Sequence, residues 1–119
     1  MANNKPVGVA YSDPALSAFY LNAPVTKTAS FSLGDSDNYV VCNGSAANVS
    51  VTLPSGSAYI GRTVFVKNLS GTYTLISASS NVKPRTSNTA ATAILAASAG
   101  AWAILVCEDG TNWVVMAGN

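Results

Sequence analysis

The chain has 119 residues, a length typical of one domain with a sizeable core. Charged residues make up only 9% of it, against about 25% in an ordinary soluble protein, while hydrophobic residues make up 49%. The longest apolar run falls far short of the ~20 residues that span a bilayer, so membrane insertion does not explain the low charge. We therefore expect apolar surface to be covered in a contact between subunits, and we expect no membrane partner.

The charge balance also argues against a nucleic-acid partner. The net charge is +1, and the six Lys and Arg residues are scattered singly, whereas nucleic-acid binding normally uses a clustered basic face. The N-terminus, MANNKPVGVAYSDP, has no unbroken apolar core, so it predicts neither a signal peptide nor a transit peptide. We expect synthesis and assembly inside a cell.

Residues 1–27 differ from the rest and predict an extended N-terminal arm. Three prolines recur along it, and each removes a backbone donor and favours extended geometry. Ser12 or Asp13 could cap one short helical turn that begins at Pro14. The arm is too apolar for a freely solvated tail, so we expect it to lie on a partner or a neighbouring subunit; packing on its own domain is the alternative. The candidate partner-binding residues are Val7, Val9, Tyr11, Leu16, Phe19 and Tyr20.

Residues 28–119 predict a β-domain. Apolar and polar residues alternate in short stretches, which is typical of half-buried strands, and clusters of Gly, Asn, Asp, Ser and Pro between them predict turns. The strands predicted in this way are residues 28–33, 38–43, 47–53, 62–68 and 72–78.

The next two stretches are harder to assign. Residues 79–89 are polar and include Lys83, Pro84 and Arg85, which predicts an exposed loop. Residues 90–99, AATAILAASA, have high helix propensity but no charge, and strands flank them. We assign residues 90–99 to a strand.

The last stretch, residues 101–118, predicts a complete β-hairpin. Two runs rich in β-branched and aromatic residues flank a polar turn that contains Asp109 and Gly110, a strong hairpin signal. Both faces of the first run are apolar, so we expect cover on both sides, from the core on one and another subunit on the other. One face carries Trp102, Ile104 and Val106, and the other carries Ala103, Leu105 and Cys107.

These elements together predict an all-β fold, an antiparallel β-sandwich or barrel-like domain of about eight short strands. Trp113 is expected to supply a large buried area. Cys42 and Cys107 each lie in an apolar run, and in a reducing compartment we expect two buried free thiols; a disulfide is the alternative.

The residue inventory predicts no enzyme and no cofactor. Histidine, the commonest general base and a frequent metal ligand, is absent from the sequence. Ser80 and Lys83 match a Ser-x-x-Lys pattern, but they fall in a polar loop rather than at a helix start. Asp35 and Asp37 could offer two oxygen ligands to a cation, yet few other carboxylates exist, so we expect a solvated turn and no metal.

An ordered series of short motifs resembles the small β-domains of tailed-bacteriophage virion proteins. Such domains occur in tail fibres, head fibres and capsid decoration proteins. The resemblance extends over about residues 45–118, and it implies a structural domain, usually trimeric, without catalysis. Unlike fibre members, this sequence has no long repetitive shaft and no coiled-coil heptads. The motifs are Val51-Thr52-Leu53-Pro54, Gly61-Arg62-Thr63-Val64-Phe65-Val66-Lys67-Asn68, Ser70-Gly71 and Asp109-Gly110-Thr111-Asn112-Trp113.

Three functions from different classes remain open at this point. The favoured one is a capsid decoration (cement) protein. It would be a homotrimer located in the virion, assembled in the host cytoplasm, and its arm would bind the major capsid protein or another virion protein. The alternative is a host-attachment or fibre-tip module of a tail fibre or tailspike, in which Tyr59, Tyr73 or loop Asn and Ser residues contact a surface glycan. The third, a small hydrolase, is disfavoured by the residue inventory.

Overall fold

A computed structural model describes residues 22–119 of the chain. Within this range the protein forms ten β-strands and a 3-10 turn, Ser57–Tyr59. This turn is the one helical element of residues 22–119, and it is far too short to cross a bilayer. The strands are β1 (Val25–Lys27), β2 (Phe31–Ser32), β3 (Tyr39–Cys42), β4 (Val49–Thr52), β5 (Thr63–Asn68), β6 (Leu75–Ser77), β7 (Val82–Lys83), β8 (Ala93–Leu95), β9 (Ala101–Cys107) and β10 (Trp113–Gly118).

The strands form two sheets, and the chain alternates between them. The six-stranded sheet has the order β1-β3-β5-β9-β10-β7, and the four-stranded sheet has the order β2-β4-β6-β8. From β1 to β6 each strand crosses to the opposite sheet, so strands two apart in sequence become parallel neighbours. Parallel strands need a crossover connection, and here a strand of the other sheet serves as that connection. The first half of the domain is therefore a short β-solenoid.

The all-β, sandwich-like fold is confirmed, but the expectation of purely antiparallel sheets is wrong. Both sheets are mixed, with antiparallel pairs at β5-β9, β9-β10 and β6-β8. Residues 22–119 also hold ten strands rather than about eight. Alternation of apolar and polar residues reports that one face of a strand is buried, and it is usually found in antiparallel sheets. A solenoid gives parallel strands the same pattern, because each strand has the core on one side only.

The hydrophobic core lies between the two sheets. Trp113 is 0% exposed, and its indole Nε1 donates a hydrogen bond to the carbonyl oxygen of Pro54 at 3.1 Å. The predicted burial of Trp113 is thus confirmed. The other core residues with the least exposure are Val40, Cys42, Val49, Val64, Leu75, Val82, Leu105 and Cys107.

A buried asparagine joins three segments at one end of the sandwich. Asn68, at the end of β5, is 1% exposed. Its side-chain nitrogen donates to the carbonyl oxygens of Tyr73 (2.9 Å) and Ala96 (2.8 Å), and its side-chain oxygen accepts from the Ser70 backbone at 3.0 Å. Because a buried amide is costly unless it is hydrogen-bonded, these three bonds fix the turn after β5 against the segment after β8.

The structure corrects one loop prediction and one strand prediction. Residues 79–89 are not wholly an exposed loop: Val82 is 0% exposed and begins β7, which pairs in parallel with β10. The predicted strand 28–33 is reduced to β2, Phe31–Ser32. The preceding strand β1 lies within residues 1–27 and pairs with β3. A two-residue strand carries too little periodicity to be recognised from sequence.

The C-terminal hairpin is present as predicted. Strands β9 and β10 pair antiparallel around a turn in which the Asp109 carboxylate accepts hydrogen bonds from the backbone of Asn112 (2.7 Å) and Thr111 (2.9 Å). These two bonds lower the pKa of Asp109. Gly110 has φ +86°, and a Cβ there would lie 3.0 Å from the carbonyl carbon of Gly56. Glycine at this position is therefore required by both backbone geometry and space.

Substitution of Trp113 tests this description of the core. We expect Trp113→Ala to lower the free energy of unfolding by about 3–5 kcal/mol, because it leaves a large cavity. Trp113→Phe should cost about 1–2 kcal/mol, since it keeps most of the apolar area but leaves the Pro54 carbonyl without its donor. Urea unfolding measures both. The control, Ile60→Ala at a 53% exposed position, should change stability by less than about 0.5 kcal/mol. Equal losses of unfolding free energy in Trp113→Ala and Ile60→Ala would contradict the placement of Trp113 in the core.

Candidate protein-binding surface

The six-stranded sheet has one face toward the core and one face away from it. We call the side that points away from the core the outer face. The strand registers align its residues in rows: Tyr39, Phe65 and Ile104 form one row, and Val41, Lys67 and Trp102 form the next. A further row is formed by Thr63, Val106, Val114 and Lys83. Most of these side chains are apolar, so the outer face is a continuous apolar surface crossed by a few polar groups.

Aromatic side chains dominate one part of the outer face. Tyr39 and Phe65 are direct partners across β3 and β5, with ring centroids 5.3 Å apart and ring planes inclined by 44°. Tyr39, Phe65 and Trp102 are 36%, 38% and 41% exposed. Tilted aromatic pairs at this distance attract each other beyond their shared burial. The rings are therefore held in place by the sheet while still presenting apolar area outward.

These aromatic residues line a shallow groove of about 360 Å³, within the size range of small binding pockets. Pro24, which precedes β1, forms one end of it, and Trp102 of β9 lies among its walls. Among the described residues that line this groove, Lys67 is the one with a charge. The aliphatic stem of a lysine can cover apolar surface while its ammonium stays in water. The groove therefore suits an apolar segment or side chain rather than an ion.

The outer face confirms the alternation predicted for the first arm of the hairpin. Ala103, Leu105 and Cys107 are buried, while Trp102 is exposed and Ile104 and Val106 are half-buried on the other side. Met116, at the bulge of β10, adds an apolar side chain that is 62% exposed. Large contiguous apolar patches on soluble proteins mark interaction surfaces. A subunit covering this face stays a prediction.

The two cysteines are buried free thiols, as predicted. Burial raises the pKa of Cys42 to about 11, and the nearby ammonium of Lys27 opposes that rise. Because the thiolate is the reactive form, a raised pKa makes Cys42 a poor nucleophile. Its role is to fill space in the core.

The Ser80 and Lys83 side chains are directed to different partners. The hydroxyl of Ser80 lies 2.8 Å from that of Thr92, whereas the Lys83 ammonium donates to Glu108 at 3.0 Å. A serine nucleophile needs a base within hydrogen-bond distance, and Lys83 is engaged with a carboxylate instead. Lys83, in β7, therefore forms an ion pair with Glu108 and does not form a catalytic dyad with Ser80.

The Asp35 and Asp37 turn is anchored to the domain, so the expectation of a wholly solvated turn is wrong for Asp37. Asp37 is 8% exposed and accepts a hydrogen bond from the Gly34 backbone at 2.8 Å. Arg62 donates to the carbonyl oxygens of Gly34 (2.7 Å) and Asp37 (2.8 Å). The turn is a structural clamp, and residues 22–119 contain no group of three metal-ligating side chains.

The remaining predicted site residues divide into two groups. Tyr59 and Tyr73, proposed for glycan contact, are both partly buried. The partner-binding candidates of the arm, together with the helical turn predicted at Pro14, lie outside the described residues. Those candidates are Val7, Val9, Tyr11, Leu16, Phe19 and Tyr20. Sequence reasoning missed Tyr39 and Phe65 as surface residues, although the alternation in residues 63–68 places Phe65 opposite the core.

No protein-family model matches the chain, and no curated protein sequence matches it significantly.

Thiol labelling tests the assignment of the cysteines. We expect Cys42 and Cys107, each 1% exposed, to react with a thiol reagent roughly 100-fold more slowly in the folded chain than in denaturant, because labelling requires opening of the core. The variants Cys42→Ala and Cys107→Ala separate the two rates. Labelling of either thiol at the denatured rate under native conditions would show that the core description is wrong there.

Proposed function

We propose that this chain is a virion structural protein, a capsid decoration (cement) protein without enzymatic activity. It forms a homotrimer, binds the outer surface of a phage head through its N-terminal arm, and is located in the virion after assembly in the host cytoplasm. The observation that carries the proposal is the apolar outer face of the six-stranded sheet on a chain with only 9% charged residues. Such a surface suits permanent contact with other protein chains.

The physical basis of binding is the removal of apolar area from water. Each Å² of apolar surface buried contributes roughly 25 cal/mol before the costs of ordering the partners. One short arm offers modest affinity by itself. Three arms on one trimer raise the effective concentration of the second and third contacts, so the trimer binds a repetitive capsid surface far more tightly than a single chain does.

The motif series supports the same proposal. The sequence from Val51 to Trp113 resembles domains found in phage tail fibres, head fibres and decoration proteins. In this fold the motif residues have structural tasks: Asn68 ties three segments together, and Trp113 fills the core against Pro54. None of these tasks demands a substrate, which suits a structural protein.

The outer face provides a place for contact between copies. Val106 and Val114 are partners across β9 and β10, and Ile104 and Ala117 form the adjoining pair. All four are half-buried. We assign this strip to the contact within the homotrimer, and we assign the arm to the major capsid protein or another virion protein.

A second function is favoured by one observation, the aromatic groove. A host-attachment or fibre-tip module would use exposed aromatic rings such as Trp102 and Tyr39 to hold a surface glycan. Glycan-array binding by the full chain that is lost in Trp102→Ala, with no affinity for capsids, would favour this function over decoration.

The contribution of the arm is tested by charge insertion at its apolar positions. The triple variant Val7→Asp, Val9→Asp and Tyr11→Asp should reduce binding to decoration-free capsids at least tenfold, because a carboxylate resists transfer into an apolar contact. Co-sedimentation with capsids measures this binding. The matched control, Asn3→Asp, Asn4→Asp and Ser12→Asp, adds the same charge at polar positions and should bind like the native chain. Equal loss in both variants would refute an apolar arm contact.

The trimer contact is tested on the outer face. We expect the native chain to sediment as a trimer at micromolar concentration, and we expect Val106→Asp to dissociate it, because the new carboxylate would be buried without a partner. The control is Thr52→Asp, which adds the same charge at an exposed position in the other sheet and should leave the trimer intact. A native chain that sediments as a monomer would contradict the assignment.

A further inference from the structure

We propose that residues 16–21 of the chain occupy the aromatic groove of their own domain. The groove is the part of the outer face lined by Pro24, Tyr39, Phe65, Lys67 and Trp102. The inference does not depend on the decoration role. It divides the arm into a segment bound to its own sheet and a leading segment, residues 1–15, that is left for a partner.

The point where the described chain begins lies beside the groove. The Asn22 backbone and side-chain nitrogens donate to the Asn38 side-chain oxygen (3.3 and 3.1 Å), and the side-chain nitrogen also donates to the Ser36 carbonyl (2.8 Å). Asn38 immediately precedes Tyr39, one of the groove's aromatic walls. Two residues after Asn22, Pro24 itself lines the groove. The described chain therefore begins at the rim of the groove, next to the Tyr39 end.

The segment is long enough to cross the groove. Tyr39, Phe65 and Trp102 lie on the neighbouring strands β3, β5 and β9, so the groove is about 10 Å wide across the strands at an inter-strand spacing of about 4.8 Å. Six extended residues span up to ~20 Å. Asn22 and Ala23 lie outside the regular strands, and asparagine is a favoured turn residue.

The chemistry of the segment fits that of the groove. The sequence of residues 16–21, LSAFYL, contains four large apolar or aromatic residues and no charge. The groove presents three aromatic rings and the stem of Lys67. A charged segment would lose hydration there without finding an opposite charge on the apolar walls, whereas Phe19 and Tyr20 gain burial and ring contacts.

Tethering selects the chain's own segment over that of another copy. A short linker gives an effective concentration on the order of millimolar, well above the micromolar concentration at which copies meet in solution. The strip that contains Val106 and Val114 lies on strands β9 and β10, on the side of the sheet away from β1. Contact between copies and occupancy of the groove therefore use different parts of the outer face.

Tryptophan fluorescence tests the inference on the full chain. Trp113 is 0% exposed, so accessibility to a soluble quencher reports mainly on Trp102. We expect the quenching constant to rise roughly twofold in the variant Phe19→Ser, Tyr20→Ser, because removing the aromatic side chains uncovers the Trp102 ring. The matched control, Val7→Ser, Val9→Ser, removes two apolar side chains farther along the arm and should quench like the native chain.

Dilution separates a chain's own segment from that of a second copy. Protection of Trp102 within one chain should stay constant over a roughly hundredfold range of concentration and persist in the dissociated variant Val106→Asp, since it is intramolecular. If protection of Trp102 from the quencher disappears on dilution, a segment of a second copy occupies the groove and the proposal is wrong. An unchanged quenching constant in Phe19→Ser, Tyr20→Ser would overturn it as well. Failure of the full chain to bind capsids, with Trp102 still protected by residues 16–21, would refute the decoration role alone.

Discussion

The structure is organised around a six-stranded sheet that carries apolar side chains on both faces, in a chain with very few charges. The four-stranded sheet covers the inner face, where Trp113, Leu105 and Val64 are fully buried. The outer face carries Tyr39, Phe65 and Trp102, each more than a third exposed. Because so few ionic groups are available to solvate this surface, we propose that further protein covers it. The proposed trimer contact and the proposed groove occupant would each cover part of this apolar surface.

The solenoid winding explains how a small chain builds so wide a sheet. Strands β1, β3 and β5 are stacked in parallel while β2, β4 and β6 stack opposite them, and the hairpin β9-β10 then extends the larger sheet. The hairpin pairs antiparallel with β5 and places Trp102 beside Lys67. The outer face is therefore assembled from three distant parts of the sequence, held by the Asn68 network at one end and the Arg62 clamp at the other.

Much of the fold could be predicted from local patterns. The short apolar runs in residues 38–43 and 62–68 and the alternation in residues 47–53 located β3, β5 and β4, and the Asp109-Gly110 turn located the hairpin. Pairing direction could not be predicted, because alternation reports which face is buried and not which strand lies alongside. Strand β7 was not predicted, because its two residues lie in a polar stretch of the sequence, although Val82 packs in the core.

Only those residues of the outer face that lie on a single strand could be predicted from the sequence. Trp102, Ile104 and Val106 were expected on a separate face because both sides of β9 are apolar. Tyr39 and Phe65 become a pair only through the register of β3 on β5, which joins residues 26 positions apart. Similarly, Asn68 gave no local sign of its three buried hydrogen bonds, because their partners are contributed by a turn and by Ala96.

Hydroxyl-radical footprinting of the native full-length protein tests most directly whether the outer face is covered. We expect the rings of Tyr39, Phe65 and Trp102 to be oxidised several-fold more slowly than their exposure in residues 22–119 implies, while the ring of Tyr59, which lies off the outer face, is oxidised at the rate that its own exposure implies. Oxidation of all three rings at the rate expected for an uncovered sheet would contradict the central claim.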